Sequence, residues 1–389
     1  MTCLPSAGGS GIIATELGME MAGLGHEVHF ICVERPVRLR GDERVDSTLF
    51  FHHAVTSDYP IFNHPPQALN LAAKMVEVTK THNLDLLHVH YALPHATAAY
   101  LAKRILCGEH DLKTVTTLHG TDITLVGMQP SIFDVTRFSI VASDAVTAVS
   151  RWLEVRTREI FDVDRDIHVI PNFVNTDHFR PLASAHPLRA RFAEPDEKIV
   201  MHASNFRPVK NIPAVIDVFA GIASRIPAKL LLLGEGPERR VAEERSREHR
   251  ISDRVVYVGN HEFVEQFIPM ADLFLLPSWH ESFALVALEA MSCEVPVIAT
   301  NVGGTGEVIT HGTDGFLASP DDPETMIDLG CRILSDPALA QGLAKAGRKT
   351  AEERFSPRRV ANEYLDLYQR VLGESASSEK SRPSERSRR

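Results

Sequence analysis

Apolar residues in this chain gather in short runs, separated by longer stretches in which they recur every three or four positions. The runs Glu27–Val33, Leu84–His90, Lys113–Leu118 and Ala145–Val149 predict strands. Between them Ile12–Leu24, Pro66–His82 and Pro94–Cys107 predict helices. Such alternation predicts a parallel sheet with helices on both faces. The series then restarts with Ile199–Ala203, Lys229–Leu233, Val255–Val258, Leu273–Leu276 and Val295–Thr300. Between the two series the turn-rich connector Pro171–Pro181 has no periodicity, which marks a hinge. The expected architecture is therefore α/β: two doubly wound units, residues 1–175 and 176–355, facing across a cleft. A last helix near Ser356–Leu372 is expected to cross back to the first unit. The Ser-, Glu- and Arg-rich tail 374–389 cannot build a core and is expected to be disordered. Only Met1–Leu4 precede the first glycine loop. A central strand that short is either clipped or preceded by chain upstream of this Met1.

Composition narrows the class. A length of 389 residues with 44% apolar and 24% charged positions is that of a globular protein with more than one core. The net charge of -10 argues against a general nucleic-acid or bilayer binder, so any phosphate must be met by a few local cations. Five cysteines without a C-x-x-C pair fit reduced thiols, and no apolar run reaches membrane-spanning length. A cytoplasmic enzyme without integral membrane association is expected.

Four segments carry candidate chemistry, each following a strand. Gly8-Gly9-Ser10-Gly11 opens the first helix, where glycines permit close backbone approach and the helix start favours an anion. Thr117-Leu118-His119-Gly120-Thr121-Asp122 sets His119 at a strand's carboxyl end. Ser204-Asn205-Phe206-Arg207-Pro208-Val209-Lys210 offers two cations to a diphosphate from the matching slot of the second unit. Finally, Glu281 and Glu289 flank a loop entering a helix, Ser282-Phe283-Ala284-Leu285, with Gly303-Gly304 and Glu307 following. A carboxylate before the helix suits sugar hydroxyls, and one two turns inside suits a ribose. The paired carboxylates also invite a glycosidase reading. It fails because Glu289 lies inside a helix whose amino end would hold the phosphate, nearer the nucleoside than the anomeric carbon. Two further patterns read as structural. Asp162-Val163-Asp164-Arg165-Asp166 has metal–diphosphate spacing but no glycine-rich partner. His88 and His90 share a strand face without an evident third ligand, so they read as structural or acceptor-lining.

Together these motifs, with Leu231–Glu238 (L-L-L-G-E-G-P-E) and G-G-T-G-E-V from Gly303, resemble family 4 retaining glycosyltransferases. The resemblance runs from Thr2 to about Leu372 and implies the GT-B fold of two Rossmann-like domains. Cys3–Leu17, His90–Ala96, Arg137-Phe138 and Val146–Ser150 narrow it to members that join N-acetylglucosamine from UDP-N-acetylglucosamine to the hydroxyl of L-malate, the first step of bacillithiol biosynthesis. By that resemblance Arg207 and Lys210 neutralise the leaving diphosphate without a required metal ion. Glu289 holds the ribose, Glu281 the sugar hydroxyls, and His119 lies near the anomeric centre. Gly9, Ser10, Gly11, Asn205, Ser282, Phe283, Ala284 and Leu285 complete the donor site. Ser10, Gly11, Tyr91, Thr121 and Arg137 are the candidates for malate, since a dicarboxylate needs a guanidinium plus hydroxyl and amide donors. The sequence departs from the family at Ala284, where glycine is usual, and at Thr305-Gly306, where an apolar–Pro pair is usual. Rival readings are another acceptor such as an inositol phosphate or a sugar, an epimerase or hydrolase of the same fold, and a non-enzymatic sensor. A homo-oligomer stays open.

Overall fold

The computed structural model describes residues 1–3, 8–39, 44–55, 66–182, 188–261 and 263–373. Leu4–Ala7 of the glycine loop and the expected disordered tail 374–389 lie outside the described residues.

The first half runs α1 (Gly9–Gly23), β1 (Val28–Cys32), β2 (Arg44–Asp46), β3 (Leu49–His53), α2 (Gln67–His82), β4 (Leu86–His90), α3 (Thr97–Ile105), β5 (Lys113–Leu118), α4 (Thr121–Thr124), α5 (Phe133–Ala142), β6 (Ala145–Ala148), α6 (Arg151–Phe161) and β7 (His168–Val169). The second runs β8 (Lys198–Ala203), α7 (Ile212–Ala223), β9 (Ala228–Leu233), α8 (Arg239–Glu248), β10 (Val255–Gly259), β11 (Leu273–Leu276), α9 (Leu285–Ser292), β12 (Val297–Thr300), α10 (Thr305–Val308), β13 (Phe316–Ala318), α11 (Pro323–Ser335), α12 (Pro337–Arg354) and α13 (Pro357–Leu372). Strands β8 to β13 form one parallel sheet in the order β10-β9-β8-β11-β12-β13. Its central strands are buried almost end to end, which is why they read as unbroken Leu and Val runs.

In the first half β4-β5-β6-β7 form one parallel sheet, and β1-β3-β2 form a mixed one in which β2 runs antiparallel to β3. Residues at the chain start join them. Thr2 N–H donates to His88 O at 3.1 Å, Thr2 O accepts from His90 N–H at 3.0 Å, and Met1 O accepts from Ile31 N–H at 2.8 Å. Met1 and Thr2 thus bridge β1 and β4 through the backbone.

Four buried clusters form the core. One is shared by both halves, with Leu118, Ile123, Val146 and Leu153 beside Met201, Phe274, Phe283 and Leu288. Another joins α1 to α13 through Ile13, Leu17, Met21, Val360, Ala361, Tyr364 and Leu367. Among the described residues no helix is long and apolar enough to cross a membrane.

Candidate active site

The loop after β11 is held from several sides. Lys210 Nζ donates to Glu281 Oε1 at 2.7 Å, and Ser278 Oγ donates to the same oxygen at 2.8 Å. Thr300 Oγ1 donates to Ser278 O at 2.5 Å, and Gly304 N–H to Glu281 O at 2.9 Å. Gly303 has φ 57°, and a Cβ there would lie 1.9 Å from Glu281 O, so the turn after β12 admits only glycine at that point. The loop after β8 packs as closely on the turn after β9, since a Cβ on Gly234 would stand 1.8 Å from Ser204 O. Arg207 and Asn205 stay exposed beyond it. The Arg207 charge is felt at Tyr91 in the other half. Lys210, on the same loop, is drawn to Glu281.

Helix α9 starts unusually. Its N-cap Ala284 is left-handed, φ 64° and ψ 47°, the conformation a glycine takes without strain. Leu285, next in line, faces Gly9, whose Cβ would lie 3.0 Å from Leu285 Cδ2, so the starts of α1 and α9 meet. Inside α9, Glu289 is buried and its carboxyl is pushed up to about 8 by loss of water and, less, by Glu265; the Arg38 charge opposes this. Arg38, beyond β1, makes a bidentate pair with Glu265 at 3.1 and 3.0 Å. That pair ties the two halves beside Glu289.

In the first half Asp122 organises the turns. It accepts from His119 N–H at 3.2 Å and Gly120 N–H at 2.9 Å with one oxygen, and from Ala92 N–H at 3.0 Å with the other. Burial lifts its pKa to about 6 against these backbone donors. The neighbouring Tyr91 has φ 84°, a strained value for tyrosine, and its hydroxyl lies 2.6 Å from Ser10 Oγ. Burial holds this phenol up at about 12, so it is a neutral donor. His119 Nε2 lies 2.9 Å from His90 Nδ1, leaving His119 Nδ1 for a ligand. Burial drops His119 to about 3, with His95 adding to the effect, so the ring is uncharged at neutral pH. His88 bonds Thr117 Oγ1 at 2.7 Å and Tyr368 OH at 2.6 Å. The His88–His90 pair is thus internal framework behind His119.

The two sets meet directly. Gly120 has φ 113°, and a Cβ on it would fall 1.6 Å from Ser282 Oγ. Ser150 Oγ donates to Ser282 O at 2.7 Å and accepts from Leu153 N–H at 3.1 Å. Glu307 caps α6 from the opposite half, accepting from Arg151 N–H at 2.7 Å and Trp152 N–H at 2.8 Å. Asp122, Ser150, Ser278, Arg38 and Glu265 were not anticipated as site builders. Only Asp122 and Ser150 carried a local signal, a carboxylate two residues after a glycine and a serine ahead of a helix.

Not every candidate converges. The Arg137 guanidinium donates to Phe161 O at 2.8 Å and Asp162 O at 3.2 Å. It closes the carboxyl end of α6, and we remove it from the acceptor set. Thr121 stays in that set: it opens α4, exposed, directly after Gly120. Asp162 is the left-handed C-cap of α6, and Asp166 stays exposed 3.9 Å from Arg158, a solvated turn.

The family models decide the class. Residues 7–178 match Glycosyltransferase Family 4 and residues 187–350 match Glycosyl transferases group 1. An N-acetyl-alpha-D-glucosaminyl L-malate synthase of Bacillus anthracis is 42% identical over 372 residues, 96% of each chain. The chain belongs to glycosyltransferase family 4. A D-inositol 3-phosphate glycosyltransferase of Jonesia denitrificans is 26% identical, covering 94% of this chain and 92% of its own. Among solved structures, sucrose-phosphate synthase from Thermosynechococcus elongatus superposes with TM-score 0.75 at 26% identity, covering 95% and 94% of the two chains. Anabaena HepE in complex with UDP and glucose gives TM-score 0.76 at 20% identity over 94% and 97%, a likeness of fold. The family 4 enzyme described here accordingly has the GT-B fold, with the carboxyl edges of two parallel sheets facing one another.

Proposed function

We propose that this glycosyltransferase moves N-acetylglucosamine from UDP-N-acetylglucosamine to the hydroxyl of L-malate with retention of the α configuration. The observation that carries the reading is identity along nearly the full length to the Bacillus anthracis protein named for that product. In this reading the bond between the anomeric carbon and the diphosphate oxygen breaks as the malate oxygen bonds to that carbon on the same face. The departing phosphate oxygen takes the malate proton, and UDP leaves. No protein nucleophile is required, so catalysis rests on positioning and charge.

Each residue then has a task. Arg207 and Lys210 balance the diphosphate in place of a metal ion, and Lys210 exchanges part of its contact with Glu281 for phosphate oxygens. Glu281, so released, accepts from sugar hydroxyls, while Glu289 accepts from the ribose. The N–H groups at the start of α9, beyond Ala284, meet the phosphates, and Gly9–Gly11 approach from the other side. Neutral His119 accepts or donates a hydrogen bond near the anomeric carbon without adding charge. Ser10, Gly11, Tyr91 and Thr121 take the malate carboxylates. Residues 1–175, with α13, form the acceptor half, and 176–355 the donor half. A cytoplasmic enzyme fits this chemistry.

The test supplies purified protein with UDP-N-acetylglucosamine and a panel of acceptors. The expected result is UDP release only with L-malate and a product mass of N-acetylglucosaminyl-malate. Turnover with an inositol phosphate and not with malate would reject the proposed acceptor in favour of the Jonesia relative's type. UDP release without any acceptor would indicate hydrolysis.

A further inference from the structure

A histidine cluster remains that transfer chemistry does not use. His29 on β1, His52 on β3 and His82 in the last turn of α2 bring one ligand nitrogen each within 4.8 Å of one another. The register pairs His29 with Phe50 and Ile31 with His52, so His29 and His52 share a sheet face, the face that α2 covers. Their rings lie 5.0 Å apart, and His82 closes the triangle at 4.4 Å from His29 and 5.4 Å from His52. Phe50 stacks on His29 at 4.8 Å and walls one side.

We propose that His29, His52 and His82 form a binding site for a divalent transition-metal ion of the zinc type. Three imidazoles from separate elements, with one coordination position left over, are the usual donor set for such an ion. The outer contacts are arranged as such a site needs. Glu27 Oε1 lies 2.7 Å from His29 Nε2, so the carboxylate takes that N–H and leaves the Nδ1 lone pair pointing at the cluster. That Nδ1 is 2.8 Å from His52 Nε2. Two nitrogens on one tetrahedral ion stand about 3.3 Å apart. The His29–His52 pair therefore opens by roughly half an ångström, and His82, on the exposed helix end, swings inward. Exposed His82 and half-exposed Glu27 give the ion a path from solvent. Ligation would pin the end of α2 to β1 and β3, away from the strand ends where sugar and acceptor meet.

The experiment strips the full-length protein with a chelator and titrates zinc alone by calorimetry, with metal content after dialysis measured by mass spectrometry. The expected result is one zinc per chain and a higher thermal midpoint. His82→Ala, on an exposed helix end, keeps the fold and is expected to lower zinc affinity at least tenfold. Glu27→Gln is expected to lower it about tenfold while leaving stoichiometry unchanged. The cobalt form should show the visible absorption of a tetrahedral nitrogen site, lost in His82→Ala. No zinc retained by the wild type, or equal zinc binding by wild type and His82→Ala, overturns the proposal. Transfer activity is not the readout, so failure here leaves the proposed reaction untouched.

Discussion

Glu289 gives the sharpest test of how the site is poised. Its carboxyl is buried, 7% exposed, and sits at about 8 in the folded protein against 4.5 for the free side chain. Between those values the folded protein holds a proton that the unfolded chain has released. Stability therefore falls as pH rises through this window, and it is fully present only below the unfolded pKa. At about 1.4 kcal/mol per unit, the loss between pH 5 and pH 8 is on the order of 4 kcal/mol. Glu289→Gln has nothing to ionise. Thermal midpoints of wild type and variant, measured without nucleotide from pH 5 to pH 8, should start close together and diverge, with the variant ahead at the alkaline end. The second reading uses the proposed ribose contact. Hydroxyl donors favour the ionised carboxylate, so UDP binding at pH 7 should release on the order of one proton. Calorimetry in two buffers of different ionisation enthalpy counts it. Parallel midpoint curves together with proton-neutral UDP binding would refute the argument.

Three more outcomes follow from the same contacts. Ala284→Gly relieves a left-handed alanine and should raise stability by about 1 kcal/mol in chemical denaturation, with no loss of turnover; a destabilised variant refutes the strain. Gly120→Ala should cut turnover at least tenfold because its Cβ meets Ser282, and adding Ser282→Gly should restore part of it by clearing Oγ and Cβ. An unchanged defect in the double variant would place the fault in the backbone of Gly120 alone. Arg207→Ala should slow turnover at saturating donor by about 2 kcal/mol of barrier, one charge-assisted contact, and near-wild-type turnover rejects its place at the diphosphate.

Much of this was legible in the residues themselves. Strands such as Leu273–Leu276 and Val297–Thr300 stand where their apolar runs predict them, because strands buried on both faces have no polar side to blur the signal. Leu49–His53 does not stand out, since two histidines end a short run and only His52 turns to the face that α2 covers, while His53 is exposed. His168–Val169 and Phe316–Ala318 are too short to declare themselves without a neighbour to pair with. Lys210 and Glu281 could be brought together on paper because each follows a strand of one parallel sheet. Arg137 could not be placed that way. Its partners are carbonyls 24 and 25 residues downstream, and nothing local distinguishes a guanidinium that closes a helix from one that faces a substrate. The same non-locality hid Arg38–Glu265 and Glu307, whose roles exist only once the halves meet.

The hydroxyls of Tyr364 and Tyr368 have a consequence for how the chain matures. Tyr368 OH reaches His88 and Tyr364 OH lies 3.0 Å from Thr117 Oγ1, on the strands that present His90 and His119. Those tyrosines belong to α13, which follows the whole second half in the chain. During synthesis the early half must wait, its histidine-bearing strands uncovered, while some two hundred further residues are added and folded between. Competence to receive an acceptor thus arrives only once α13 has been made and docked, and a polypeptide cut ahead of it would own a finished donor half beside an unfinished receiver.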